Sequence, residues 1–142
     1  MSKLSFVIFC IENYADSIGV SSDKVYKLFR NEGLIDLLRS DYDDLHGMGM
    51  EYMVNFCKEY LGEKSLENLN LMVHGTVRAT ILPEIIKMIC KKFDWDEEKA
   101  LDKFYTSATG ENFSDDETGF YGQSALYIYS QFCEEFCGQN YL

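Results

Sequence analysis

Val20-Ser21-Ser22-Asp23-Lys24-Val25-Tyr26-Lys27-Leu28-Phe29 returns 75 residues later as Trp95-Asp96-Glu97-Glu98-Lys99-Ala100-Leu101-Asp102-Lys103-Phe104. Each copy carries an apolar residue, a polar run suited to starting a helix, and an apolar-periodic segment that ends in Phe. The same offset pairs Ile11 with Ile86, Asp41 with Asp116, Gly47 with Gly122, Tyr52 with Tyr127 and Glu59 with Glu134. Apolar positions are kept while surface charges drift, which is how an internal repeat diverges. Residues 4–61 and 79–136 therefore read as two copies of one unit. The expected organisation is a first helical repeat over 1–61, a connector over 62–78, and a second repeat with a C-terminal tail over 79–142.

A unit of about 58 residues is marginal on its own, so the copies are expected to bury surface against each other. The fold class expected is all-α: two pseudo-symmetric repeats of about four helices each, packed into one compact unit. An apolar fraction of 46% and an aromatic fraction of 15% argue for a packed core rather than disorder.

Working outward, Leu4, Val7, Ile8, Ile11, Tyr14, Ala15 and Ile18 recur at spacings of three and four and predict a first helix, ended by Gly19. Ser21 or Ser22 caps a second helix to about Asn31, with Val25, Leu28 and Phe29 inward and Tyr26 to the side. Leu34–Leu38 adds one or two turns, and Asp41, Asp43 and Asp44 fall in a turn-rich segment. Met50, Met53, Val54, Cys57 and Leu61 form the stripe of a fourth helix closed by Gly62. In the connector, 69–78 fits a short strand or a helical turn, and a helical connector is preferred.

In the second copy Pro83 suits the first turn of a helix, where its missing N–H costs little. Asp96 caps the next helix, which reaches about Tyr105. Residues 107–124 read as an ordered loop anchored by Phe113, Phe120 and Tyr121. Ser124 starts a last helix with Leu126, Ile128, Tyr129, Phe132, Cys133 and Phe136 available for its apolar surface, and the tail from Gly138 frays.

Thirteen basic and 24 acidic residues give a net charge of −11, a field that repels a phosphate backbone and disfavours direct nucleic-acid binding. The N-terminal apolar run is interrupted too soon for a signal peptide, and no stretch reaches the roughly 18 apolar residues of a membrane span. A cytoplasmic protein with reduced thiols at Cys10, Cys57, Cys90, Cys133 and Cys137 is expected. Cys133 and Cys137, four apart without nearby histidine, make a poor zinc site, and no metal or cofactor is expected.

No catalytic set converges in the sequence. His46 and His74 fall at non-equivalent positions of the repeat, and neither phosphate-binding glycine motif occurs. Asp115, Asp116 and Glu117 lack the alternation of a calcium loop; a turn capped by Asp116 with solvated neighbours accounts for them. Tyr52, Tyr60, Tyr127, Tyr129 and Tyr141 lie on or after the last helix of each unit, and tyrosine suits protein interfaces.

Phe104–Thr109 followed by Asp115-Asp116-Glu117-Thr118-Gly119-Phe120-Tyr121-Gly122-Gln123-Ser124-Ala125-Leu126-Tyr127 is similar to the signature of a small bacterial family catalogued as a domain of unknown function. Phe9–Ala15 and Val25–Phe29 resemble another branch of that family. Ala125 stands where the family pattern has Pro, and the first copy reads Asp41-Tyr42-Asp43-Asp44 in place of Asp-Glu-Thr-Gly. The resemblance implies a small, acidic, helical protein whose gene neighbours one for an ADP-ribosyltransferase-like toxin, hence an antitoxin, immunity or accessory role.

The function expected is a non-enzymatic protein-binding module, with Tyr52, Asp115, Asp116, Glu117, Tyr121 and Tyr127 as candidate partner-binding residues. The partner is another protein, such as a toxin-like enzyme; no membrane is involved, and self-association is compatible with the pattern. An acidic nucleic-acid mimic, using the acids of 36–44 and 94–117, is the alternative. A small-molecule enzyme would need a deep pocket around His46, His74 or the 115–117 acids.

Overall fold

The computed structural model describes residues 2–62 and 75–140, with side chains to 137 in the second segment. Most of the expected connector lies outside the described residues, as do His74, Tyr141 and the choice of helix or strand over 69–74. Among the described residues the chain is all-α, with nine α-helices, two single 3-10 turns and no strand.

The first half runs α1 (Lys3–Ile18), α2 (Ser22–Asn31), α3 (Leu34–Ser40), α4 (Tyr42–Leu45) and α5 (Met50–Leu61). The second runs α6 (Gly75–Phe93), α7 (Glu97–Tyr105), α8 (Ala108–Ser114), 3-10 turns at Asp116–Thr118 and Phe120–Gly122, and α9 (Ala125–Asn140). Ser22 and Glu97 open α2 and α7, and Met50 and Ala125 open α5 and α9, so these starts fall 75 apart.

Capping explains the boundaries. Ser2 accepts from Ser5 N at the start of α1, and Gly19 ends it with φ 70° and an N–H donated to Ala15 O. Asp96 accepts from Lys99 N at 2.7 Å, and Ser124 from Tyr127 N at 3.1 Å. Ser21 precedes α2 with extended backbone, but its side chain makes no capping bond.

Packing follows from the apolar stripes. α1 and α6 lie against each other at the centre; α1 also meets α2, α3 and α5, while α6 meets α7 and α9. Leu4, Ile8, Ile11, Tyr14, Leu82, Ile85, Ile86 and Ile89 are fully buried between these layers. Each such aliphatic side chain contributes roughly 1.5–3 kcal/mol on burial. Gly75 lets the start of α6 approach α1 closely, since a Cβ there would lie 2.6 Å from Glu12 O.

Several expectations are corrected. Pro83 sits inside α6 rather than in its first turn, because the helix begins at Gly75; the ring is buried and the helix continues around one missing N–H. The stretch 107–124 is mostly helical: Ser107 Oγ caps α8 by accepting from Gly110 N at 2.9 Å, and the two 3-10 turns carry the chain to α9. The turn-rich acids after Asp41 form the short helix α4. Leu126 is exposed rather than inward, and Tyr26 is buried rather than lateral. α9 continues through Gly138 to Asn140, in place of a frayed tail from Gly138.

Candidate partner-binding site

Glu12 of α1 falls in register with the buried stripe of its helix, as Arg78 does on α6, so the central packing brings two charges face to face. Both are fully buried, and Arg78 Nε donates to Glu12 Oε1 at 2.8 Å. Tyr105 Oη of α7 donates to Glu12 Oε2 at 2.7 Å, and Arg78 Nη1 pairs with Asp116 of the first 3-10 turn. Burial pushes the Glu12 carboxyl above its ordinary range, while Arg78, the Tyr105 hydroxyl and, least, the buried Ser22 hydroxyl outside hydrogen-bond geometry oppose that rise. Tyr105 is pushed well up by the same burial and by the Glu12 charge. Arg78 Nη2 is buried without a hydrogen-bond partner among the described residues.

The polar contacts continue through stacked rings. Tyr105 and Tyr26 lie 4.8 Å apart at 21°, and Tyr26 Oη donates to Asp102 Oδ1 at 2.9 Å. Arg30 pairs with the same carboxylate. A chain of contacts thus runs Asp116, Arg78, Glu12, Tyr105, Tyr26, Asp102, Arg30, joining the two halves through their interior. Glu12, Arg78 and Tyr105 hold the helices together in the interior, whereas Tyr26, Asp102 and Arg30 line an open cavity of about 360 Å³.

This arrangement redistributes the acidic run. Asp115, rather than Asp116, caps the turn by accepting from Glu117 N at 3.0 Å. Asp116 turns inward because Glu12 takes Arg78 Nε, and the buried Nη1 donates to the Asp116 carboxylate instead. Glu117 is exposed and Tyr121 half-buried. The structure therefore does not hold Asp115, Asp116 and Glu117 as one outward cluster.

Exposed apolar side chains are concentrated elsewhere. Met48, Met50, Tyr52 and Tyr60 lie on α5 and its approach, and Leu126 and Tyr127 on the first turn of α9; Val77 is the other large one among the described residues. Tyr52 is 51% and Tyr127 43% exposed. Tyr60 is tied by its hydroxyl to Glu32 O at 2.8 Å, and Tyr127 meets Phe120 edge-to-face at 6.1 Å. Tyr129 is half-buried.

His46 stacks on Tyr42 with ring centroids 4.4 Å apart and holds Nδ1 2.7 Å from Tyr42 O. Cys10 and Cys57 are buried, and Cys90, Cys133 and Cys137 half-buried, all as free thiols. Among the described residues no helix is long and apolar enough to cross a membrane.

Glu12, Arg78 and Tyr105 are the residues that sequence reasoning missed. Their signal is a charge in step with an apolar stripe: Glu12 follows Ile8 by four, and Arg78 precedes Leu82 by four.

Fold and site together define an all-α protein sewn through its middle by buried ionic contacts, with apolar helix starts open at the surface. Residues 5–64, which span α1 to α5, match the model of a family described as a protein of unknown function (DUF3791). No curated protein and no solved structure matches the chain.

Proposed function

We propose that the chain is a non-enzymatic protein-binding module made of two diverged tandem copies, which engages a partner protein through the exposed starts of α5 and α9. The observation that carries this reading is the placement, among the described residues, of five of the seven large exposed apolar side chains, Met48, Met50, Tyr52, Leu126 and Tyr127, at those two helix starts and the approach to α5. Exposed apolar groups at these helix starts, on a chain of net charge −11, suit contact with a macromolecule of opposite charge. In this reading the protein is cytoplasmic and bacterial, and serves as antitoxin, immunity or accessory partner to a toxin-like enzyme encoded beside it.

The polar contacts favour this reading over nucleic-acid mimicry. Asp96 and Asp115 are used as caps, Asp102 bonds Tyr26 and Arg30, and Asp116 bonds Arg78. Four of the nine carboxylates in 94–117 are thus tied to groups of this chain, which interrupts a row that would imitate phosphates. Co-expression with the product of the adjacent gene should yield a complex that survives low and moderate salt; separation of the two under both conditions would sink the proposal.

A further inference from the structure

Resting on the protein-binding reading, we infer that the α8–α9 face is the docking surface for a cationic amphipathic segment of the partner, with arginine as its preferred charge. From Phe104 to Leu142 the chain has six acidic residues and no Lys, Arg or His. That span builds α8, both 3-10 turns and α9, which pack on one another.

A groove of about 380 Å³ opens between α8 and α9, lined among others by Thr109, Asn112, Phe120, Gln131 and Glu134. Glu135 closes one wall: its carboxylate accepts from Ala108 N, Thr109 N and the Thr109 hydroxyl at 2.7–2.8 Å, so it is already satisfied. Thr118 Oγ1 bonds Asn112 O and fixes the turn that carries Phe120. Tyr127, Gln131 and Glu134 follow one another at helical spacing along α9, and Phe120 meets the Tyr127 ring. The face therefore offers an aromatic platform beside the exposed carboxylate of Glu134, with exposed Glu111 and Glu117 on the same packed group of elements.

The charge selects the occupant. A second copy would bring the same acidic face, and nucleic acid or an anionic membrane would be repelled. A guanidinium pairs with carboxylates and also stacks on aromatic rings, where an ammonium does only the first well, so arginine fits better than lysine.

The test titrates the full chain with a synthetic helical peptide carrying Arg and Leu at three- and four-residue spacing, and separately with polylysine, followed by amide NMR shifts. Binding of the Arg/Leu peptide should be saturable, should shift the amides of Phe120, Tyr127, Gln131 and Glu134, and should weaken about tenfold in Tyr127→Ala and in Glu134→Lys. Asp43→Lys on α4, the same reversal of an exposed acid away from this face, should leave it within about twofold. Shifts confined to the α5 end, with Met50→Asp as the weakening change, would overturn this assignment while leaving the protein-binding reading intact. Polylysine binding as tightly and independently of Tyr127, or no saturable binding to either probe, would overturn it too; the co-expression experiment decides the broader reading separately.

Discussion

Of the arginine–carboxylate pairs that cross between the halves of this protein, two differ in almost everything except their chemistry. Arg78 and Glu12 meet at zero exposure, whereas Arg30 and Asp102 meet with side chains 44% and 35% exposed. In water the charges are screened and the pair contributes little; without water each charge depends on the other, because desolvation must be offset locally. The same residue types therefore serve as a structural requirement at one place and as a surface contact at the other.

The largest expected effect comes from Arg78→Met, which leaves Glu12 and Asp116 without their cation and should cost about 3–5 kcal/mol in denaturant unfolding. Glu12→Gln combined with Arg78→Met should recover part of that loss, since it removes the stranded charge. The pH dependence has a defined sign. Burial holds the folded Glu12 carboxyl above its usual 4.5, and losing Arg78 raises it further. Stability from a raised carboxyl is present below the unfolded value and lost as pH rises through the folded one. The gap between variant and parent should thus narrow as pH falls from 7 toward 4.5; a gap that widens would contradict the account.

Gly110→Ala probes a steric rather than an ionic tie between neighbouring elements. A Cβ there would lie 1.8 Å from Phe104 O, so α8 must move off the end of α7, at a cost of roughly 1–3 kcal/mol. Ile35, 75 residues earlier, carries a full side chain, so a neutral Gly110→Ala would mean that α8 has room to shift.

Tyr105→Phe removes the hydroxyl from Glu12 Oε2 and keeps the stack on Tyr26, and should lower stability by about 1–3 kcal/mol. Arg30→Ala should be the mildest, at most about 1 kcal/mol and diminished by salt. Equal losses in Arg30→Ala and Arg78→Met would show that exposure is not what separates the two pairs.

The helices were legible because capping and periodicity are local. Gly19, Asp96 and Ser124 mark their ends by chemistry that needs only a few neighbouring residues. Residues 107–124 were harder, since Gly110 and the Ser-Thr-Asn-Asp content favour turns, and the helix forms there because Glu135 from α9 accepts two amide hydrogens at its start. Pro83 misled for a similar reason: the preceding turns of α6 are held by packing on α1. In the candidate site, exposure of Tyr52 followed from its place outside the apolar stripe of α5, but the division of labour between Asp115 and Asp116 did not, because it depends on an arginine 38 residues away.

By itself, then, the order of residues determined that this chain is helical and acidic, since propensity, caps and periodicity act within a few turns. Only tertiary packing decided that Glu12 and Arg78 would share the centre, that Asp116 would face inward and that Leu126 and Tyr127 would stay at the surface. Those outcomes depend on which helix faces meet, and a buried charge takes its value from the partner that packing places beside it.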